Sequence, residues 1–163
     1  MQKRRVRGSI SIAMPGMKVH EFLARVPEAV RQSLPGELRG FQVNGPLRSL
    51  VKLHYDSKAG IHYEVWVQRR TGRVEVGLHF EGEPEANARN LMKLAQHFSE
   101  IRSALGPSAE AEQWTKSWTR IHETLSLEPL TEGYLKTVAE RLALYLRVLQ
   151  PILEKEEMNL WTA

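Results

Sequence analysis

The sequence contains no cysteine, which excludes thiol catalysis, thiolate metal sites and disulfides. It also has no long apolar run, because Arg147 and Gln150 interrupt the most apolar segment, residues 142–153. A membrane-spanning helix is therefore not expected. The stretch behind the basic start is short and carries glycine and serine, so a secretory signal is not expected either. The cytoplasm is the predicted location.

Motifs for nucleophilic catalysis and phosphate loops are also missing. There is no Gly-x-Ser-x-Gly elbow and no glycine-rich phosphate loop. A PD-(D/E)xK nuclease needs Glu-x-Lys on a strand, but the two candidate positions read Glu64-Val-Trp66 and Glu75-Val-Gly77. We therefore assign no catalytic residues, and the sequence favours a protein that is not an enzyme.

The clearest pattern present is a β-hairpin between Ile61 and Glu81. Apolar and polar residues alternate at period two on both sides of a turn at residues 70–72. This alternation sets the register, since a slip by one residue would place apolar side chains opposite polar ones. The predicted pairs on the apolar face are Val67 with Val74, Val65 with Val76, Tyr63 with Leu78 and Ile61 with Phe80.

Similar alternation at residues 50–55, followed by turn residues at 56–60, predicts a third strand. Together with the hairpin it forms an antiparallel meander over residues 49–80. Residues 40–46 carry glycine and proline, and are predicted to be a loop that leads into the meander.

Segments whose apolar residues have helical spacing flank the meander on both sides. One helix is predicted from Met17 to Leu34, where Pro27 either kinks it or starts a second helix. A long helix begins at Pro84 and is closed by Gly106, which is suited to a positive φ. The terminal helix follows residue 129.

Residues 109–127 fit two structures. Trp114, Trp118, Ile121 and Leu125 have helical spacing, whereas the abundance of threonine, serine and aromatic residues is typical of strands.

The order of elements resembles an uncharacterised bacterial domain family, whose members occur alone or fused behind restriction-type PD-(D/E)xK nuclease domains. In that family a three-stranded meander ends in an acid, an asparagine opens a long helix, and a strand pair follows. The resemblance covers residues 17–157 and implies strands in residues 109–127. It departs from the family at Arg102, where an acidic residue is usual, and this sequence includes no nuclease domain. The residues that carry it are Glu81, Asn87, Ile101, Leu105, Gly106, Trp114, Arg120 and Ile121.

The predicted fold class is therefore α+β, with an antiparallel meander sheet of about three to five strands packed against two or three helices. Residues 1–16 are predicted to be a basic arm, residues 17–157 a single domain and residues 158–163 a tail.

The polar face of the meander predicts a metal site. His62 is expected opposite His79, and pairing of Leu53 with Val65 would place a third histidine opposite Glu64. Three imidazoles and a carboxylate could bind zinc. The alternative is that these are ordinary polar residues of an exposed strand face, or that helices cover them. The candidate ligands are His54, His62, Glu64 and His79.

Arginines crowd at the N-terminus and at the hairpin tip, in a chain of formal net charge +4. Such clusters can contact phosphates or an acidic partner, although solvated arginines are common. Tryptophans could stack on bases, but packing in a core or interface is their ordinary role. The candidate contact residues are Arg4, Arg5, Arg69, Arg70 and Arg73.

The terminal helix is apolar around more than half its circumference, in the segment LALYLRVLQPIL. A helix lying on a sheet needs only one apolar stripe, so a homodimer is predicted to cover the surplus. The interface residues would be Leu144, Leu146 and Val148.

Two functions follow from these features. The leading hypothesis is a non-enzymatic binding or accessory module that self-associates and is linked to DNA restriction or nucleic-acid processing. The alternative is a metal-dependent hydrolase or nuclease that uses the histidine-rich face. No cofactor is expected under the first hypothesis, and a divalent metal is required under the second.

Overall fold

A six-stranded antiparallel sheet organises the chain in the computed structural model, which describes residues 16–56 and 60–161, with side chains up to residue 155. The strand order is β1-β2-β3-β4-β6-β5, and the α+β class is confirmed with one strand more than the predicted range. The strands are β1 Gln42–Leu47, β2 Leu50–His54, β3 Ile61–Gln68, β4 Arg73–Phe80, β5 Glu110–Gln113 and β6 Thr119–Ser126. The α-helices are α1 Val19–Gln32, α2 Pro84–Ala95, α3 Phe98–Leu105 and α4 Glu132–Trp161, and a short 3-10 helix covers Gly36–Leu38.

The β3–β4 hairpin has the predicted register. All four apolar pairs form, from Ile61 with Phe80 at one end to Val67 with Val74 at the other. The apolar side chains of β4 are fully buried, because the helices cover this face of the sheet. Alternation excluded a slip by one residue, which would have exposed them, and the short turn between the strands fixed the rest of the register.

The pairing of β2 differs from the prediction by two residues. Val51 lies opposite Val65, and Leu53 lies opposite Tyr63 rather than Val65. The predicted position of His54 across from Glu64 is therefore wrong, and Lys52 lies there instead. A shift of two residues leaves every side chain on its original face, so period-two alternation cannot distinguish the two registers.

Strand β1 occupies most of the segment that was predicted to be a loop. It pairs with β2 at the edge of the sheet, with an irregularity between Asn44 and Leu47. Its residues are largely exposed, and it contains Gly45 and Pro46, which are tolerated at edges and bulges. A strand of this kind buries no alternating stripe and so gives no pattern to detect.

The helices agree with the prediction except at one place. Residues 19–32 form one continuous helix with Pro27 in its interior. The predicted long helix is divided into α2 and α3 at Gln96 and His97, although neither residue is a typical helix breaker. Gly106 ends α3 with a φ of 96°, the positive value expected there. Residues 109–127 form the strand pair β5–β6, which confirms the strand prediction.

Helix α4 lies at the centre of the helical layer, where it contacts α1, α2, α3, β3 and β4. Leu146 is fully buried inside the same chain, and Leu144 and Val148 are half-buried against the core. Most of the surplus apolar surface is thus covered within one subunit, and the fully buried Leu146 cannot line a dimer interface. The homodimer stays a prediction, but the apolar surface of α4 no longer supports it. The helix continues to Trp161, beyond the predicted domain end at residue 157.

None of the helices in the described ranges is long and apolar enough to cross a membrane.

Asn87 joins two turns at one end of the sheet. Its side-chain Oδ1 accepts a hydrogen bond from Gly82 N at 2.8 Å, and its Nδ2 donates to Gly82 O and to Ser117 O, each at 2.9 Å. The hydroxyl of Thr119 donates to the backbone oxygen of Asn87 at 3.3 Å. The side chain is 1% exposed, so water cannot replace these partners. The turn after β4 and the turn between β5 and β6 are therefore fixed to the start of α2.

Replacing Asn87 with alanine should lower the free energy of unfolding by about 2 kcal/mol, because partly buried backbone groups of Gly82 and Ser117 lose their partners. Urea unfolding followed by circular dichroism measures the change. Asn90→Ala is the matched control, since Asn90 lies on the same helix and is half-buried. Equal stability of the two variants would show that the hydrogen bonds of Asn87 contribute nothing.

Candidate metal centre

One face of the sheet carries buried ionisable side chains, on the side opposite the apolar face; we call it the polar face. Four of its residues, His62, Glu64, Glu75 and His79, are at most 6% exposed. An exposed strand face would leave such groups in water, and burying them is costly unless they are paired or bind a metal. The indole of Trp114 covers part of this face, in an edge contact with the His79 ring at a centroid distance of 5.7 Å.

Four side chains of the polar face converge. His62 and Glu64 come from β3, His79 comes from β4 and Glu81 directly follows β4. Each offers one ligand atom, and the four atoms all lie within 4.8 Å of one another. His62 Nε2 lies 3.0 Å from Glu64 Oε2 and 3.7 Å from Glu81 Oε1, and His79 Nδ1 lies 3.3 Å from Glu81 Oε1. Ligands about 2.1 Å from a tetrahedral zinc ion are about 3.4 Å apart, which is close to these separations.

The carboxylate of Glu75 orients the ring of His79. Its Nε2 lies 2.7 Å from Glu75 Oε1, while Nδ1 faces the cluster. Glu75 is held in turn by Arg120, whose Nη1 donates to Glu75 Oε2 at 2.9 Å. Histidines that bind metals usually donate their other ring N–H to a carboxylate or carbonyl in this way, which fixes the tautomer.

The electrostatics of the cluster favour a cation between these groups. Burial opposes the protonated form of His79, but hydrogen bonds to Glu75 and Glu81 outweigh burial and raise its pKa to about 9. Burial opposes the ionised form of Glu81, but His79, His62 and Lys52 outweigh it and lower its pKa to about 2. Without a metal, His79 is therefore protonated, and the proton on its Nδ1 faces Glu81, where a metal ion would take its place.

Lys52 neutralises the other oxygen of Glu81. Its Nζ donates to Glu81 Oε2 at 3.2 Å, and this leaves Oε1 directed towards the two histidines. Burial lowers the pKa of His62, which favours the neutral ring that a metal ligand needs.

Three of the four predicted metal ligands are brought together, namely His62, Glu64 and His79. His54 is not part of the cluster; on the β1 side it lies opposite Gln42. Glu81 takes the fourth position. It lies two residues after His79 and so continues the same alternation, one residue beyond the end of the strand.

A second group of three candidate ligands, Glu110, Glu112 and His122, lies on β5 and β6. Here the guanidinium of Arg120 already binds the carboxylate of Glu112, with Nε donating to Oε1 at 2.8 Å. A fixed positive charge beside the ligands opposes cation binding. The second group is therefore the weaker candidate.

The predicted phosphate contacts are divided among different places. Arg4 and Arg5 lie outside the described residues. Arg69 and Arg70 are exposed in the turn of the β3–β4 hairpin, and Arg73 is exposed at its base, opposite Gln68.

Comparison of the chain with models of known protein families, with curated proteins and with solved structures finds no match. The resemblance of residues 17–157 to a bacterial domain family thus stays a prediction.

Proposed function

We propose that this protein binds one divalent metal ion on the polar face, through His62, Glu64, His79 and Glu81. The convergence of four buried ligand atoms within 4.8 Å is the observation that supports it. The Glu75–His79 pair adds the outer carboxylate that metal-binding histidines usually have.

The donor set narrows the choice of ion. Two imidazoles and two carboxylates suit zinc, manganese or iron, whereas magnesium and calcium prefer oxygen ligands alone. Four protein ligands complete a tetrahedral zinc site and leave no position for a substrate. A six-coordinate manganese or iron ion would keep two positions open for water or substrate.

The identity of the ion therefore distinguishes between the two functions that the sequence suggests. Bound zinc fits a stabilising role in a non-enzymatic binding or accessory module, and manganese or iron fits a metal-dependent hydrolase or nuclease. The side chains of the four ligands are between 0% and 13% exposed, which leaves a substrate little access and favours the first role. The cytoplasmic location, the homodimer and the link to DNA restriction or nucleic-acid processing belong to this proposal and rest on the sequence alone.

Metal analysis of the purified protein should find about one ion per chain. Removing the ion with a chelator should lower the melting temperature by about 5 to 10 °C, because an ion that binds only the folded chain stabilises it. Restoring zinc or manganese should reverse the change. The double variant His62→Ala/His79→Ala should bind no ion and should not respond to added metal.

Two histidine variants serve as controls. His20→Ala removes an exposed imidazole on α1, and His122→Ala removes one from the second group on the polar face. Both should keep the ion. A wild-type chain that holds no ion and does not respond to zinc, manganese or iron would contradict the proposal.

A further inference from the structure

A groove runs past Trp66 at the opposite end of β3 from His62. It has a volume of about 740 Å³ and lies between the turn after β1 and the turn after β3. A second groove of about 460 Å³ adjoins it, and Arg48, Ser49 and Trp66 line both. We call the two together the Trp66 groove. Its other polar and charged lining residues are Lys52, Gln68, Arg69, Arg70 and Thr71.

The unpaired charge of this groove has one sign. Three arginines line it together with Lys52, which is paired with Glu81, and no aspartate or glutamate lines it. Arg48, Arg69 and Arg70 are exposed, and within the described part of the chain none of them forms an ion pair with a carboxylate. Cations gathered in a concave surface without neutralising acids attract a ligand that carries several negative charges.

Trp66 gives the groove a flat apolar wall. Its indole Nε1 donates to Ser49 Oγ at 3.2 Å, which fixes the orientation of the ring. The residue is half-buried on the polar face, two positions along β3 from Glu64. A held aromatic ring beside arginines is the arrangement on which nucleobases stack while their phosphates are bound, without selection for sequence.

We propose that the Trp66 groove binds single-stranded nucleic acid, with a base against Trp66 and phosphates on Arg48, Arg69 and Arg70. A single strand fits because only an unpaired base can present its face to the indole. The inference does not depend on the metal centre, since none of the four proposed ligands lines either groove.

Fluorescence anisotropy with labelled DNA and RNA oligonucleotides of about 15 nucleotides tests the inference. The titrations contain a chelator, so that any bound metal cannot contribute. Binding should weaken steeply between about 50 and 200 mM salt. Trp66→Ala should weaken it about tenfold or more, and Trp66→Phe should retain most of it. Replacing all three arginines with alanine should reduce the slope of log affinity against log salt by about 2.

Two controls match these changes. Arg89→Ala removes one exposed arginine from α2, and Trp118→Ala removes an exposed tryptophan from the turn between β5 and β6. Both control variants should bind the oligonucleotides with the affinity of the wild type, whereas Trp66→Ala and the triple arginine variant should not. Circular dichroism checks that every variant is folded. Lack of binding at 50 mM salt, equal affinity for duplex and single strand, or unchanged affinity of both Trp66 variants would overturn the inference.

Discussion

The variant Leu146→Glu should be largely unfolded at room temperature. Leu146 is fully buried where α4 passes through the core, so a carboxylate there has neither water nor a partner. Truncating a buried leucine already costs about 2–5 kcal/mol, and burying an unpaired polar or charged group adds several more. The sum approaches the whole free energy of unfolding of an ordinary domain, about 5–15 kcal/mol. Circular dichroism should show loss of helix and strand signals.

Thr137→Glu is the matched control for this variant. It introduces the same side chain on the same helix, at an exposed position. Its free energy of unfolding should stay within about 0.5 kcal/mol of the wild type. A Leu146→Glu chain that is well folded but dissociated, beside a dimeric wild type in light scattering, would contradict the burial and restore the predicted interface.

Gly77→Ala should also be strongly destabilising. A Cβ at this position would lie 2.5 Å from Ile121 O and 2.8 Å from His122 Cα, both backbone atoms of β6. Backbone cannot swing aside as a flexible side chain does, so β4 and β6 must move apart where Gly77 pairs with His122. We expect a loss of about 3 kcal/mol or more, at the upper end of overpacking effects, measured by urea unfolding.

Gly40→Ala controls for the general effect of replacing glycine. A Cβ at Gly40 has no atom within 4 Å, so the variant should be neutral or slightly more stable. If Gly77→Ala were as stable as Gly40→Ala, the close approach of β4 and β6 would not constrain the sheet.

The central hairpin could be predicted from sequence because both of its strands alternate strictly and one face is buried. Strand β1 could not be, since its side chains are mostly exposed and it carries Gly45 and Pro46. The break between α2 and α3 was equally hidden, because Gln96 and His97 are compatible with a helix. Local patterns report burial and backbone restriction. In β1 there is too little burial to form a stripe, and between α2 and α3 no residue restricts the backbone.

The sequence correctly indicated that α4 is apolar on most sides, but the covering surface was attributed to a partner chain. A helix that is apolar on most sides is buried on most sides, and periodicity does not say whether the covering surface comes from the same chain. Here α1, α2 and α3 surround it together with the sheet.

Prediction of the candidate site depended on register more than on residue type. The β3–β4 pairing placed His62 beside His79, because the short turn between these strands leaves one register. The β2–β3 pairing has two solutions that differ by two residues, and the choice between them exchanged His54 for Lys52 opposite Glu64. Glu81 was missed because it lies just past the strand. It is two residues from His79, however, and this spacing predicts the same face.

The turn between β5 and β6 has a kinetic consequence for the polar face. Trp114 in this turn lies against His79, Arg120 lies over its indole at 4.6 Å, and Asn87 ties the turn to α2 through Ser117 O. Opening of this turn would withdraw the indole from His79. The lifetime of the closed turn therefore sets how long this part of the polar face stays shielded from water.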